Sequence, residues 1–374
     1  MPKKPSFSIK KLSIKNQILN TSDLRVAVYY DWLNQWGGAE RVLLDILTLY
    51  PKADIYTLFY DPQKCNWLPK GHKIFSLNLK NKLIYTPFYA PKMEQIDFSQ
   101  YDILISTTSN IGHCFLTQPQ TLYVCYFHNV NRYLYQNPPK LLKPILKIYQ
   151  QVDKILANRP DSLICNSKNV QRRIETNYKR QASIIHPGID IDKFVPSNEV
   201  SKNYFLIVSR LVSHKKIDLA IKAFNHTDYQ LKIVGQGREE GYLKCLASDN
   251  KNITFINQVS DQELLGLYQN CTALIYPQEE DFGLSALEAQ ACGRGVIAYN
   301  QGGAKETVID QKTGIFFNHQ NQDSLLQAIE KYLNNPPSTQ NCRTQASKFD
   351  HNSFMLKFKK QIDSLWSTKQ HITS

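Results

Sequence analysis

The 374-residue sequence predicts an α/β protein made of two successive domains, each with a parallel β-sheet covered by helices on both faces. Apolar runs rich in β-branched and aromatic residues alternate with segments in which apolar residues recur at helical spacing. The alternation stops near residues 184–203, where Pro, Gly, Asn and Ser are frequent, and then starts again. The length also suits two domains of ordinary size.

Residues 23–187 are predicted to form the first domain. It opens with the strand LRVAVYYDW, which is followed by a Gly-Gly pair and then by a helix. Further strands are predicted at residues 102–107, 121–128 and 162–167. The first helix is indicated by apolar residues at helical spacing, namely Val42, Leu43, Ile46, Leu47 and Tyr50.

Residues 188–350 are predicted to form the second domain, in which the same alternation is repeated. Its strands are YFLIVSRL, YQLKIVGQG, ITFINQV and TALIYP, and IDLAIKAFN and DQELLGLYQN are helices between them. Two such domains in succession leave a cleft between them, and ligands of parallel sheets bind at the carboxyl ends of the strands. We therefore expect the functional residues to follow the strands directly.

The composition excludes several classes of protein. No apolar run reaches about 18 residues, so no transmembrane helix is predicted. Residues 1–22 form a basic N-terminal arm without the apolar segment of a secretion signal. The eight cysteines are scattered and form no Cys-x-x-Cys pair, which argues against a disulfide framework or a zinc site and predicts a cytoplasmic protein.

The net charge of +13, from 45 Lys and Arg against 32 Asp and Glu, favours a polyanionic partner. Nucleic acid, phosphorylated ligands and an anionic membrane surface all have this character. The sequence carries no zinc finger, RNA-recognition motif or basic heptad array, so we predict no nucleic-acid partner.

Two cations follow the first strand of the second domain. Arg210 comes directly after the strand, and Lys215 stands just before the next helix. A guanidinium can hold a diphosphate through two hydrogen bonds, and an ammonium group adds a point charge. An ordinary basic loop would carry the same residues, so this segment alone leaves both interpretations open.

The stretch QEEDFGLSALEAQACG places Glu280 and Glu288 eight positions apart, with a predicted helix at 284–292. The helix begins at Phe282, Gly283 and Leu284, where free N–H groups and the helix dipole favour an anion such as a phosphate. Carboxylates near a helix N-terminus are stabilising without any ligand, which is the alternative explanation. A bare phosphate would be repelled by Glu280, so this carboxylate suits sugar hydroxyls better.

These motifs together resemble the retaining glycosyltransferases of family 4. EEDFGLSALEAQACGRGVIA resembles the family's E-x7-E segment, SRLVSHKKIDLAIKAF its Arg-x4-Lys segment, and GGAKETVIDQKTGIFF its Gly-Gly-x-x-Glu loop. LICNS and HPGID resemble the interdomain crossing, and the resemblance runs from about Leu24 to Leu365. DWLNQWGGAERVL and CYFHNVNRYLY look like the mannosyltransferase branch that builds bacterial O-antigen and related polysaccharides.

The resemblance implies the GT-B fold, with two Rossmann-like domains whose parallel sheets face each other across a cleft. Residues 351–374 would form a C-terminal helix that crosses back to the first domain. It also implies a role for each matching residue. Catalytic residues would be His128 and Glu280, and the donor would be bound by Gly37, Gly38, Arg210, Lys215, Phe282, Gly283, Leu284 and Glu288.

In these implied roles, Glu280 contacts the hydroxyls of the donor sugar and Glu288 those of the ribose. Arg210 and Lys215 neutralise the diphosphate, which Gly37 and Gly38 also face. His128 lies beside the reacting sugar, although a histidine after an apolar strand is often purely structural.

Two positions depart from the family pattern. Lys216 stands where many relatives have glycine, and Asn129-Val130 follow the histidine where the mannosyltransferase branch usually has Thr-Pro. Asp190 and Asp192 are the nearest approach to an Asp-x-Asp metal motif, but they lie in the linker. We therefore predict no metal and no other cofactor, with a GDP- or UDP-linked sugar as substrate.

Two segments of the first domain combine lysines with apolar residues. Residues 64–95 interleave Lys with Trp, Phe, Tyr and Leu. Residues 140–156 form an amphipathic helix, with an apolar stripe (Leu141, Ile145, Ile148, Val152 and Ile155) beside a stripe of lysines (Lys140, Lys143, Lys147 and Lys154). Such a helix is typical of a membrane surface, and the alternative is a core-packed helix with solvated lysines.

The sequence thus predicts a retaining, metal-independent transfer of a hexose, with mannose as the candidate sugar. The donor is a nucleoside-diphosphate sugar, and the acceptor is a glycan or a lipid-linked glycan of cell-surface polysaccharide synthesis, reached from the inner face of the membrane. Two alternatives stay open at this point. One is a non-catalytic subunit that binds nucleotide sugars, and the other is a nucleotide-sugar epimerase on the same fold.

Overall fold

The computed structural model describes residues 24–79, 86–136, 143–197 and 203–373. The predicted N-terminal arm at 1–22, residues 80–85 of the segment 64–95, and Lys140 and Leu141 of the amphipathic helix lie outside the described residues. The chain divides into two compact units, one of which comprises Pro187–Ser353. The other comprises the described residues up to His186 together with those from Phe354 onward, so it is built from segments that precede and follow the first unit in the sequence.

Seven parallel strands, in the part of the chain that is described, form the sheet of the N-terminal unit in the order β3-β2-β1-β4-β5-β6-β7. The strands are β1 (Val26–Leu33), β2 (Asp54–Tyr60), β3 (Ile74–Ser76), β4 (Ile103–Thr108), β5 (Leu122–Phe127), β6 (Ser162–Cys165) and β7 (Ser183–Ile184). The helices of this unit are α1 (Gly38–Leu49), α2 (Thr86–Met93), α3 (Arg132–Tyr135), α4 (Lys143–Leu156) and α5 (Lys168–Tyr178).

The described strands of the C-terminal unit form a six-stranded parallel sheet in the order β10-β9-β8-β11-β12-β13. Its strands are β8 (Tyr204–Val208), β9 (Gln230–Val234), β10 (Ile253–Ile256), β11 (Ala273–Tyr276), β12 (Gly295–Tyr299) and β13 (Gly314–Phe317). Its helices are α6 (Ile217–Phe224), α7 (Glu240–Leu246), α8 (Asp261–Asn270), α9 (Leu284–Ala291), α10 (Ala304–Thr307), α11 (Gln322–Asn334) and α12 (Thr339–Ala346).

Both sheets have the order of a doubly wound fold, and this order locates their ligand-binding edges. The direction of winding reverses between β1 and β4 in the first sheet and between β8 and β11 in the second. Ligands of such sheets bind beyond the carboxyl ends of the strands at the point of reversal. The loops after these four strands are therefore the places to look for a site.

Burial on both faces explains why the central strands are apolar along their whole length. All six residues of β4 and all six of β5 are buried, as are seven of the eight in β1. Helix α1 packs its predicted apolar face inward, since Val42, Leu43, Ile46 and Leu47 are buried. Helix α8 begins with a complete capping box, in which Ser260 and Glu263 satisfy each other's backbone N–H groups.

The last helix, α13 (His351–Thr373), completes the core of the N-terminal unit. Phe354, Phe358 and Ile362 are almost fully buried in the same cluster as Val28 and Ile46. Burial of each such side chain contributes about 1.5–3 kcal/mol relative to exposure. This helix is therefore a structural part of the N-terminal unit, although it follows the C-terminal unit in the sequence.

Candidate functional site

The loop after β8 carries the two predicted cations. Arg210 is exposed, and Lys215 ends a short 3₁₀ turn formed by Ser213–Lys215. The next residue, Lys216, has φ 53° and ψ 31°, the left-handed conformation that favours glycine. This geometry accounts physically for glycine at the corresponding position of many family members.

Lys215 forms an ion pair with Glu280, the first glutamate of the E-x7-E segment, which follows β11. Their side chains are only 12% and 16% exposed, respectively, so water screens the pair little. The two loops at the point of winding reversal are thereby joined through opposite charges. The ammonium group also offsets the negative charge of Glu280 next to the predicted phosphate position.

A Gly-Gly turn after β12 packs against the backbone of the Glu280 loop. The N–H of Gly303 donates to the carbonyl of Glu280 at 2.8 Å. A Cβ on Gly303 would lie 2.3 Å from Cα of Phe282, and one on Gly302 would lie 2.4 Å from the Glu280 carbonyl oxygen. Gly302 also has φ +65°. Both glycines of the Gly-Gly-x-x-Glu motif are therefore required by close backbone packing.

Helix α9 begins directly beyond this loop. Gly283 precedes it with φ +101°, and a Cβ there would lie 2.5 Å from the hydroxyl of Tyr276. Phe282 is buried against Phe349, with 5.6 Å between the ring centroids. Leu284 is the first residue of the helix. Helix α9 thus begins only four residues after Glu280, the partner of Lys215.

Glu288 lies one turn before the end of α9 and is only 3% exposed. Its Oε2 accepts a hydrogen bond of 2.7 Å from the hydroxyl of Tyr268 on α8. The carboxylate thus has a donor from the protein itself. Its predicted contact with a ribose stays a prediction.

Two further glycines, whose role the sequence analysis did not identify, hold the Arg210 loop in place. A Cβ on Gly235 would lie 1.9 Å from the carbonyl oxygen of Ser209, and one on Gly237 would lie 2.2 Å from that of Leu211. The N–H of Leu211 also donates to the carbonyl of Gln236 at 2.9 Å. The spacing Gly-x-Gly after a predicted strand was the signal that could have shown this.

The corresponding edge of the N-terminal unit contains the predicted glycines. Gly37 is the N-cap of α1 and Gly38 is its first residue. In the first turn, the buried Glu40 accepts hydrogen bonds from the hydroxyl of Tyr30 at 2.6 Å and from Nε2 of Gln35 at 3.1 Å. A carboxylate therefore already lies beside the first N–H groups of this helix.

His128 follows β5 and is 8% exposed. A hydrogen bond of 2.7 Å joins its Nε2 to the hydroxyl of Thr107 at the end of β4. Its backbone N–H donates to the carbonyl of Thr108, and its carbonyl accepts from Nδ2 of Asn166. The ring is therefore held in one orientation at the edge of the sheet.

Asp31, in β1, is a buried carboxyl that the sequence analysis missed. Its oxygens accept hydrogen bonds from the hydroxyl of Thr108 at 2.8 and 3.0 Å and from the N–H of Ser109 at 2.7 Å. Burial raises the pKa of Asp31 to about 6, although the hydrogen bonds from Ser109 and Thr108 act in the opposite direction. Asp31 thus fixes the turn at Thr108 and Ser109. The preceding residue, Thr107, forms the hydrogen bond to His128.

The structure brings together five of the predicted residues in the C-terminal unit, namely Lys215, Glu280, Phe282, Gly283 and Leu284. Arg210 lies on the same loop as Lys215, while Glu288 is directed toward Tyr268. Gly37, Gly38 and His128 belong to the N-terminal unit. The aspartates of the linker have a local role, because Oδ1 of Asp190 accepts from the N–H groups of Asp192 and Lys193.

Over the residues with described positions, no group of three or more His, Cys, Asp and Glu side chains is placed to hold a metal ion. Within the same residues, none of the helices has both the length and the apolar character needed to cross a membrane.

Two family models match the chain and together span most of it. The model described as glycosyl transferases group 1 matches residues 189–349, and that described as Glycosyltransferase Family 4 matches residues 36–193. The chain belongs to glycosyltransferase family 4. The family resemblance seen in the sequence is thereby confirmed, and the protein is a glycosyltransferase.

Known relatives of this glycosyltransferase are similar at modest identity. An uncharacterised glycosyltransferase of Methanocaldococcus jannaschii is 30% identical over 49% of this chain and 52% of its own length. The chain thus spans about half the length of that relative. The alpha-1,3/1,6-mannosyltransferase ALG2 of Dictyostelium discoideum is 23% identical over 85% of this chain and 92% of its own length.

Among solved structures, HepE of Anabaena in complex with UDP-glucose matches with a TM-score of 0.69 and 18% sequence identity. The match covers 91% of this glycosyltransferase and all of HepE. At this identity the likeness concerns the fold, which is GT-B with two parallel-sheet α/β domains. The predicted fold class is therefore confirmed.

Proposed function

We propose that this glycosyltransferase moves a hexose from a GDP- or UDP-linked donor to a glycan or lipid-linked acceptor with retention of the anomeric configuration. The observation that carries the proposal is the Lys215–Glu280 ion pair beside the N-terminus of α9. Mannose is the candidate sugar, since the relative from Dictyostelium is named a mannosyltransferase. Cell-surface polysaccharide synthesis at the inner face of the membrane is the proposed setting.

The phosphates of the donor are proposed to bind at Arg210, Lys215 and the first N–H groups of α9. Arg210 is exposed and can present its guanidinium to two phosphate oxygens, while Lys215 supplies a charge with little solvent around it. Anions bind readily at a helix N-terminus because its N–H groups have no partner within the helix. When the sugar leaves, these groups stabilise the charge that develops on the nucleoside diphosphate.

The sugar is proposed to bind at Glu280, with the backbone of Phe282–Leu284 next to it. A carboxylate accepts hydrogen bonds from two neighbouring hydroxyls, and Glu280 is held at a fixed position by Lys215 and by Gly303. The ion pair also reduces the repulsion between this carboxylate and a diphosphate. This arrangement favours a sugar and a diphosphate bound side by side.

The remaining roles rest on the family resemblance and on local geometry. Glu288 is proposed to bind the ribose, which would share the carboxylate with Tyr268. Gly37 and Gly38 are proposed to face the diphosphate at the start of α1. His128 is proposed to lie beside the reacting sugar, a role for which its bond to Thr107 provides a fixed ring orientation.

The test is a panel of GDP, UDP, ADP and their sugars, screened by thermal shift and then by turnover in the presence of a chelator. One nucleotide and its sugar should stabilise the protein, and the sugar should be consumed without added metal. Stabilisation without any turnover would favour a binding subunit. An epimerised free nucleotide sugar as product would favour the epimerase.

A matched pair of glutamates tests the site itself. Glu280→Gln removes the charge from the largely shielded partner of Lys215, whereas Glu279→Gln changes the exposed neighbour. We expect at least about 100-fold lower turnover for Glu280→Gln, in line with the loss of a group that binds the reacting sugar. Equal activity of the two variants would overturn the assignment of Glu280.

A further inference from the structure

Helix α4 presents four aliphatic side chains to solvent. The side chains of Ile145, Ile148, Val152 and Ile155 are 53%, 66%, 43% and 67% exposed. Their spacing of three, four and three residues places them within an arc of about 80° on the helix surface. We call these four residues the apolar strip of α4.

The opposite face of α4 is held in the fold by hydrogen bonds from polar side chains. Asp153 is buried, and its two oxygens bond Nε2 of His113 and the hydroxyl of Tyr135, each at 2.9 Å. Nε2 of Gln150 donates to the carbonyl of Leu134 at 2.6 Å. A helix rotated to bury the apolar strip would break these bonds, so the outward orientation is fixed by the structure.

This arrangement excludes the core-packed alternative for the amphipathic helix. A core-packed helix would hide its isoleucines and expose its polar residues. In α4, Asp153 and Gln150 point inward and the four residues of the apolar strip point outward, while Leu156 is an aliphatic residue of the helix that is buried. Contiguous exposed apolar surface of this kind marks an interaction surface.

The charges around the apolar strip favour an anionic occupant. Lys147 is exposed and Lys154 is partly exposed, while Asp153, the acidic residue of α4, is buried. The described outer face is thus basic and apolar, and the whole chain carries a net charge of +13. A second copy of this chain would bring like charges together, whereas an anionic lipid surface would neutralise them.

We propose that α4 is a membrane-docking helix that lies flat on an anionic bilayer. The apolar strip enters the boundary between headgroups and acyl chains, and Lys147 contacts the lipid phosphates. The role of this docking rests on the proposed function, since a lipid-linked acceptor is presented at such a surface. Its geometry rests on α4 and on the hydrogen bonds of Asp153 and Gln150 that orient it.

The test is vesicle flotation with the full-length protein. Vesicles of phosphatidylcholine with about one third phosphatidylglycerol are compared with vesicles of phosphatidylcholine alone, at low and high salt. The double variant Ile148→Gln, Ile155→Gln removes half of the apolar strip. The control is Ile372→Gln, the same substitution at an isoleucine of α13 that is 77% exposed.

We expect the wild-type protein to bind the anionic vesicles and to dissociate from them at high salt. The double variant should bind at least about tenfold more weakly, and Lys147→Glu should lose binding to the anionic vesicles. Ile372→Gln should bind as the wild type does. Thermal unfolding should be unchanged in every isoleucine variant, because the altered side chains are exposed.

Two outcomes would overturn the docking helix. In the first, the wild-type protein does not bind anionic vesicles at low salt, or the double variant binds them as well as the wild type does. The other is a concentration-dependent dimer that the double variant abolishes, which would assign the apolar strip to a second copy. Consumption of the donor sugar in solution does not require α4 to contact a membrane. This assay therefore tests the proposed function independently of the docking helix.

Discussion

The stability of the N-terminal unit is expected to depend on the protonation of Asp31. This carboxyl is 5% exposed, and burial raises its pKa from the ordinary 3.8 to about 6. The folded state therefore favours the neutral form. Its contribution to the free energy of unfolding is fully present below about pH 3.8 and is lost as the pH rises through about 6.

The size of this effect follows from the two pKa values. A difference of about two pH units, at 1.36 kcal/mol each, corresponds to about 3 kcal/mol. Asp31→Asn has no proton to lose and keeps a carbonyl oxygen that can accept from Ser109 or Thr108. As the pH rises from 4 to 7, the free energy of unfolding of the variant should therefore increase by about 3 kcal/mol relative to that of the wild type.

Tryptophan fluorescence measures this unit separately from the other. All four tryptophans of the chain, Trp32, Trp36, Trp67 and Trp366, belong to the N-terminal unit. Urea unfolding followed by fluorescence at several pH values gives the free energy for both proteins. The difference between them isolates the contribution of Asp31, because the other carboxyls are common to both.

Asp97→Asn is a control with the opposite sign. The backbone N–H of Ser99 lowers the pKa of Asp97, so this carboxylate contributes stability that is lost as the pH falls. The difference between this variant and the wild type should therefore change in the other direction, and it should do so below about pH 3.8 while staying nearly constant from pH 4 to pH 7. A difference for Asp31→Asn that stays constant from pH 4 to pH 7 would refute the reasoning about Asp31.

Three substitutions test the C-terminal unit, two through unfolding followed by circular dichroism and one through nucleotide affinity. Lys216→Gly should raise stability by about 0.5–1 kcal/mol, since φ 53° is strained for lysine, and a loss would contradict this. Gly303→Ala places a methyl group 2.3 Å from Cα of Phe282, so the affinity for the donor nucleotide in calorimetry should fall at least about tenfold. Tyr268→Phe removes the hydroxyl that donates to Glu288 and should cost about 1–3 kcal/mol; no loss would show that another group replaces it.

Local sequence patterns predicted the fold class well because the deciding forces are local or periodic. The apolar run of β1 and the helical spacing of Val42, Leu43 and Ile46 reflect burial on faces that the chain itself defines. The order of strands in the two sheets, in contrast, depends on pairings between distant segments, as between β1 and β4. Only the structure identifies the two points of winding reversal.

Pairs of distant residues account for what the sequence analysis missed at the site. Lys215 and Glu280 were both predicted to contact a ligand, but their contact with each other joins loops 65 positions apart. Asp31 is paired with Thr108, a residue 77 positions away. The glycines at 235 and 237 are constrained by the backbone of another loop. No periodicity within one segment reveals such contacts.

Helix α4 shows the limit of hydrophobic patterning in another way. The pattern correctly predicted an amphipathic helix, but it cannot tell which face points inward. That choice depends on the partners His113 and Tyr135, which hold Asp153 and lie elsewhere in the chain. The apolar face therefore became informative only when its exposure was known.

The position of α13 has a consequence for how the chain folds as it is synthesised. Residues 187–353 form a continuous unit, which can close as soon as it has left the ribosome. The N-terminal unit must wait, because Phe354, Phe358 and Ile362 fill its core and are made only after residues 187–353. Its apolar strands stay partly uncovered in the meantime. The order in which the two units are completed is therefore the reverse of the order in which they begin.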